Sequence, residues 1–385
     1  MVYGTQGSPP WQRGGFPAPA RFQLHGGLET DVGYAKYTYD TITFTPEDFY
    51  DFRGRFVLEP SLRYDFAKDY FFYVRAQFVV WIREQFNLYQ GNVDDVVAQV
   101  GKSDVWDFMV GRFMTWRVYR KGLGFDLYTL EDTGALRKPT LEGANFGPHV
   151  YEVDNIFYRG TPGRAALHLY PSSWSGLEVV GEYGKDGTSN SLGGRGAANI
   201  TFGPVSVSGA AEYRTLRPAV DNSPVGPDGV TKISCPKCGV TNRSGFGGGI
   251  VFKLRPLELG ADAAIGRQRV YSQTNGELDK TGAIKTTSFG GYLELDVGSL
   301  VADRPFIIGA GLNRTESLAE TDEFQRHVQE AGYIAYPLGF NDAMIKVVVT
   351  QANLLWEEPQ SAESSTLTLH KSKMVAGRVR LQFRF

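Results

Sequence analysis

Two cysteines, five histidines and a charge balance of 40 Lys and Arg against 42 Asp and Glu leave a chain of 385 residues little room for several kinds of chemistry. Near-neutral charge removes the long-range attraction on which a polyanion binder relies, so no nucleic acid partner is expected. Cys235-Pro-Lys-Cys238 has no second cysteine pair with which to complete a zinc site, and no βαβ setting that would make it a redox dithiol. The expectation is a small disulfide, Cys235 to Cys238, in an external loop, and no metal. His25, His149, His168, His327 and His370 are scattered, and none lies in a His-Glu-x-x-His or nucleophile-elbow pattern. Long apolar runs are also missing. The longest, Phe78 to Ile82, is far short of the about 18 residues a spanning helix needs. The N-terminus reads Gly-Ser-Pro-Pro-Trp-Gln-Arg-Gly-Gly-Phe-Pro, with no charged region leading into an apolar one. The chain is therefore expected to be unexported or already relieved of a signal.

What is present is glycine (46), phenylalanine (25) and tyrosine (20), which favour pleated strands and tight turns over helix bundles. The informative signal is strict alternation. Phe72, Val74, Ala76, Phe78, Val80, Ile82, Phe86 and Leu88 share one face, whereas Arg75, Gln77, Arg83, Gln85 and Asn87 share the other. The last residues repeat it, with Val379, Leu381, Phe383 and Phe385 alternating with Arg378, Arg380, Gln382 and Arg384. Arg55, Glu59, Arg63 and Asp65 alternate with Phe56, Leu58, Leu62, Tyr64 and Phe66; Glu178 and Glu182 alternate with Leu177, Val179 and Tyr183.

A soluble sandwich would bury the apolar face against a second sheet. A transmembrane barrel gives that face to lipid and lines a lumen with the charged one. Aromatics near strand ends (Tyr64 and Phe66; Tyr70, Phe71 and Phe72; Phe383 and Phe385) favour the barrel, as do short turns alternating with long polar loops. So does an apparent shortage of carboxylates beside the wet-face arginines, which would be costly in a dry core. The fold expected is all-β: a transmembrane antiparallel up-and-down β-barrel of about 16 strands. Residues 1–20 form a flexible Pro/Gly-rich tail and residues 21–385 the barrel. The sixteen segments run from 21–39 to 370–385; among them 70–89 is followed directly by 104–117, and 150–160 precedes 164–173.

The terminal strand Gly377-Arg-Val-Arg-Leu-Gln-Phe-Arg-Phe385, with its closing Phe, and Val110-Gly-Arg-Phe113 resemble features of the outer-membrane porins of Gram-negative bacteria. In that family the first is similar to an assembly signal, and the second to the strand end that precedes a pore-constricting loop. The resemblance implies an outer-membrane channel, embedded in lipid, that passes small hydrophilic solutes and ions as a homotrimer, with no cofactor and no catalytic step. It also implies a constricting segment over 121–149, containing Leu130-Glu-Asp-Thr-Gly134. This segmentation makes the Val-Gly-Arg-Phe strand the fourth, whereas the family's constricting loop usually follows an odd-numbered one.

The expected selectivity site is a wall of Arg55, Arg63, Arg75, Arg83, Arg378 and Arg380, joined by Arg112, facing Glu131, Asp132 and Glu142 across the lumen. The plainer alternative is that these arginines solvate a wide lumen or pair with Glu59 and Asp65. Gly245 to Gly249 runs into Ile250-Val-Phe-Lys-Leu254, a strand and not a helix N-terminus, which removes a phosphate loop. Trp81, Trp106, Trp116 and Trp356 are expected as interface anchors. The competing functions are a plugged substrate-specific or export barrel, a barrel hydrolase built from separate Ser, His and Asp residues, and a secreted carbohydrate-binding β protein.

Overall fold

The computed structural model describes residues 20–39, 47–67, 69–83, 87–113, 115–116, 163–186, 189–218, 240–270, 272–274, 277–279, 284–301, 306–319, 324–338, 343–359 and 367–385. The strands are β1 (Ala20–Tyr39), β2 (Glu47–Ala67), β3 (Tyr70–Arg83), β4 (Asn87–Lys102), β5 (Trp106–Arg112), β6 (Gly163–Ser172), β7 (Ser175–Asp186), β8 (Ser189–Phe202) and β9 (Val205–Pro218). They continue with β10 (Thr241–Leu254), β11 (Leu257–Val270), the short hairpin β12 (Ser272–Thr274) and β13 (Glu277–Asp279), β14 (Ile284–Asp296), β15 (Ile307–Ala319), β16 (Phe324–Pro337), β17 (Met344–Pro359) and β18 (Leu367–Arg384). One helical turn, α1 (Gly298–Val301), joins β14 to β15. All strands but β12 and β13 form a closed antiparallel barrel of sixteen, in which each strand pairs with its neighbours in the chain and β18 pairs with β1.

Closure is a backbone event at the chain terminus. Arg384 pairs with Gly27 and Ser372 with Tyr39 along one continuous ladder, and Gly26 and Phe385 exchange both amide hydrogen bonds at 2.8 and 3.1 Å. The Phe385 ring covers Gly26 and stacks on Phe56 at 6.3 Å, so the aromatic terminus is packed on the outer face. The alternation read from the sequence is the alternation of the wall. Phe56, Leu62, Phe72, Phe78, Leu177, Val179, Val347 and Val379 are exposed outward, whereas Glu59, Gln77, Glu178, Glu182, Arg378 and Arg380 are buried inward. With no water outside, only a closed ladder satisfies every amide, which is why the apolar face can be external at all.

The aromatic girdles are present at both ends of the apolar band. Tyr64, Phe66, Tyr70, Phe72, Trp174 and Phe202 ring the short-turn end; Tyr34, Tyr50, Tyr183 and Tyr213 ring the end with long connections. Along β7, Trp174 to Tyr183 spans about 30 Å of strand and, at the usual tilt, about 25 Å of membrane. Phe71 is an exception to the expected outward aromatics: it is 1% exposed, inside the barrel, with the Arg63 guanidinium 4.3 Å from its ring centroid.

One strand boundary differs from the alternation. Segment 70–89 is not one strand: β3 ends at Arg83, and Leu88 belongs to β4, opposite Ile82. Register shifts at Gln77/Phe78 and Val80/Trp81 disturb the alternation on which strand recognition depends, which hides β4. With β4 counted, the Val-Gly-Arg-Phe strand is the fifth and so odd-numbered. Segment 150–160, the tail over residues 1–19 and the segment 121–149 lie outside the described residues.

Inside, close to the short-turn end, tyrosines lie over glycines of the adjacent strand: Tyr292 over Gly260 and Tyr333 over Gly309. Tyr333 also packs with Tyr292, Ala331, Ala335 and Val348, and the Lys346 ammonium lies 4.1 Å from its ring centroid. A Cβ on Gly309 would stand 2.2 Å from that ring. Gly309→Val is therefore expected to destabilise the barrel by about 1 to 3 kcal/mol through overpacking. The check is a lowered temperature at which the protein loses its compact migration on a detergent gel; an unchanged temperature would refute it.

Candidate functional site

Two arcs of the inner wall carry charge. The first spans β18, β1, β2 and β3, where the sequence placed its arginine wall. Arg378 and Arg380 are each 3% exposed on β18, and an Arg380 Nη lies 3.8 Å from Glu29. Arg63 Nε donates to Asp65 at 2.9 Å, and Arg75 faces Glu59 at 3.5 Å and Asp95 at 3.3 Å. Gln77 donates to Glu59 at 2.9 Å. The supposed shortage of carboxylates is thus corrected for Arg63, Arg75 and Arg380: their partners come from the same strand or across a ladder. Arg55 and Arg83 sit on β2 and β3, but their side chains lie outside the described residues. Arg112 closes β5 opposite the outward-facing Val96, apart from the others. Glu131, Asp132, Glu142, Cys235 and Cys238 lie outside the described residues.

The second arc, over β5 to β9, was not anticipated, and it holds the start of a chain segment that leaves the wall for the lumen. At Gly111 the backbone adopts φ +137°, and a Cβ there would stand 2.0 Å from the Val96 carbonyl oxygen, so only glycine fits this departure. Phe113, 2% exposed, then covers an apolar patch of Val97, Ala166 and Val180, with Met109 packed beside it. Keeping that patch from lumen water is worth about 2 kcal/mol for a buried phenyl ring. Arg164 donates to the Phe113 carbonyl.

Trp116 lies deeper. Its backbone N–H donates to both oxygens of Glu178 at 2.9 and 3.0 Å, and its carbonyl accepts from Arg195 at 2.6 Å. Its indole stacks on His168 with centroids 4.8 Å apart and an interplanar angle of 8°, lies 6.0 Å from Tyr170, and covers Gly176. Since β7 begins at Ser175, Gly176 marks a level near the short-turn end, so the segment has descended from the end of β5 through much of the barrel. Trp116 is therefore no interface anchor: it lies inside.

The charges beneath the segment are paired with one another. Glu178 accepts from Arg195 at 3.1 Å, and its other oxygen is 3.1 Å from His168 Nε2. His168 Nδ1 lies 2.6 Å from Asp107, which also accepts from the Tyr170 hydroxyl at 2.6 Å. Glu182 takes Arg164 at 3.2 Å, Arg214 at 2.8 Å and the Ser191 hydroxyl at 2.6 Å; Arg195 also approaches Glu212 at 3.9 Å. Both ring nitrogens of His168 face carboxylates, an arrangement completed by imidazolium with its two N–H donors. In that form Arg164, Arg195, Arg214 and His168 balance Asp107, Glu178, Glu182 and Glu212, four against four. Such charge-balanced, mostly hydrogen-bonded groups make a rigid seat at low local dielectric.

Elsewhere small residues line much of the wall, beside Glu258, Glu294, Tyr292 and Tyr333. Gly245, Gly247 and Gly249 alternate with outward Phe246 and Ile250 on β10, and Ala264, Ser288, Thr350 and Ala352 are buried inward on β11, β14 and β17. No helix among the described residues is long and apolar enough to cross a membrane, and no group of three or more His, Cys, Asp or Glu side chains among them is placed to hold a metal ion.

No family model matches the chain, and no curated protein matches it. Solved structures do share its fold. The outer-membrane expressed OmpT of Vibrio cholerae superposes with a TM-score of 0.58 at 12% identity, over 96% of this chain and 99% of that one; a trimer form of OmpT is also known. The anion-selective porin of Comamonas acidovorans gives 0.58 at 12% identity over 95% of this chain and 100% of that one. The outer membrane channel DcaP of Acinetobacter baumannii gives 0.53 at 10% identity over 96% and 99%. The fold is that of outer-membrane porins.

Proposed function

We propose that this outer-membrane barrel is a passive diffusion channel for small hydrophilic solutes and ions, narrowed by the segment that turns inward after β5. The observation that carries this reading is the descent from Gly111 to Trp116: the chain is held against one side of the lumen by Glu178, Arg195 and the His168 ring, while Thr350 and Ala352 of β17 are among the buried inward residues across the barrel. A polar lumen narrowed by a tethered segment selects by width and charge, and needs no catalytic step. A hydrolase finds no support at His168, because carboxylates hold both of its nitrogens and leave none to activate a hydroxyl.

Arg63, Arg75, Arg378 and Arg380 form the basic side, and Glu131, Asp132 and Glu142 of segment 121–149 form the acidic side. The four arginines stand against four carboxylates, Glu29, Glu59, Asp65 and Asp95, so the preference between anions and cations is weak; the anion-selective Comamonas porin is a neighbour of similar architecture. Homotrimer assembly follows the trimer form of OmpT. Replacing Arg75 and Arg378 together by Gln removes two lumen cations while leaving Glu59 and Asp95 in place. The reversal potential under a salt gradient is expected to move toward cation preference. An unchanged reversal potential in a folded variant would remove these arginines from the selectivity site.

A further inference from the structure

At the seam that closes the barrel, β1 runs past the end of β18. The ladder with β18 stops where Gly26 and Phe385 exchange their amide hydrogen bonds, whereas β1 begins at Ala20 and its first residues pair with β2 alone, Ala20 with Tyr64 and His25 with Glu59. This leaves an edge about 20 Å long with no strand beside it among the described residues. Which backbone groups face that side follows from the antiparallel ladder. Gly26 turns its N–H and C=O to β18, so Leu24 and Phe22, two and four residues earlier, turn theirs to the same side. Opposite Leu24 on β2 stands Pro60, which has no N–H to give, and Leu24 takes none from it. Phe22, 69% exposed, and Leu24, 49% exposed, stand on the outer face of this edge; Gln23 and His25 are exposed on the inner face, where Arg21 stands opposite Arg63.

We propose that this edge receives an extended segment of a second protein, at the short-turn end, as an antiparallel strand laid in line with β18. Main-chain hydrogen bonds to Phe22 and Leu24 hold it, and apolar residues at alternate positions cover those two side chains. A carboxylate facing Arg21 meets two guanidiniums that stand side by side across the ladder, Arg21 and Arg63. The chain's own residues 1–19 suit the edge poorly, because Pro9, Pro10, Pro17 and Pro19 remove amide donors. A second copy inserted the same way has its β1 running through the membrane in the same sense, so it cannot present that strand antiparallel.

The test is fluorescence anisotropy of a labelled peptide of about eight residues, valine and threonine in alternation with one glutamate, titrated with the detergent-solubilised full chain. Saturable binding is expected, and none for the same peptide N-methylated at the alternate residues that would face β1, which keeps every side chain and removes the donors. Leu24→Pro takes away the N–H on the free side without touching the ladder to β2, and is expected to weaken binding by at least about tenfold. Lysine in place of the peptide's glutamate is expected to weaken it about threefold. Equal binding of the two peptides by the unaltered protein, or binding of neither, would overturn the proposal, and that comparison depends on no variant folding. Unchanged binding by folded Leu24→Pro would also overturn it, as would binding that emerges only after residues 1–19 are removed, which would give the edge to the protein's own tail.

Discussion

Glu178→Ala is expected to free the inward segment and raise single-channel conductance, with noisier open levels. Glu178, fully buried, is the one side chain that contacts the Trp116 amide, the Arg195 guanidinium and the His168 ring together. Its removal leaves Arg195 and His168 buried beside Asp107 and Glu212 without their shared partner. Breaking a buried ion pair from one side costs about 3 to 5 kcal/mol. That cost falls on the contacts that hold Trp116, because the barrel ladders themselves do not pass through this carboxylate. Glu178→Gln keeps an acceptor for the Trp116 amide and is expected to lie between wild type and Ala. Planar-bilayer recordings of protein with folded gel migration make the check. Unchanged conductance in folded Glu178→Ala would mean that this carboxylate does not set the segment's position.

Gly111→Ala is the second large effect, and it is expected to cut the yield of folded barrel severely. The methyl group alone creates the conflict, since the added Cβ meets the Val96 carbonyl oxygen at 2.0 Å and the Val97 Cα at 3.2 Å, both backbone atoms. The φ of +137° adds strain of about 1 to 3 kcal/mol for a residue with a side chain. Relief requires opening the ladder between β4 and β5 or releasing the chain from its inward path, and Phe113 loses its apolar seat in either case. Refolding into detergent with a count of the compact fraction tests this. An Ala variant that refolds fully with wild-type conductance would refute it.

The barrel was legible because lipid and lumen impose opposite demands on successive residues; Arg378, Val379, Arg380 and Leu381 alternate for that reason alone. Val110-Gly-Arg-Phe113 was legible as a strand end, and Gly111 and Phe113 now explain why those residue types stand there. β4 was lost because two extra residues, Asp94 and Gln90, break its own alternation where it pairs with β3. The seat beneath Trp116 was lost for a different reason: Asp107 and His168 meet across a ladder although they are 61 residues apart. Part of it was within reach. A hairpin at Ser172 to Ser175 places His168 opposite Glu178, and both lie on the polar face of strands whose other face holds Leu167, Leu169, Leu177 and Val179. Trp116 carried no such signal, because its inward turn depends on the φ of Gly111 and not on periodicity.

Single-channel recording of the purified wild-type protein in a planar bilayer, without added ligand and under a salt gradient, tests the central claim most directly. The account predicts stable, reproducible open steps with only a weak preference between anions and cations. A folded, membrane-inserted barrel that carries no current would contradict it.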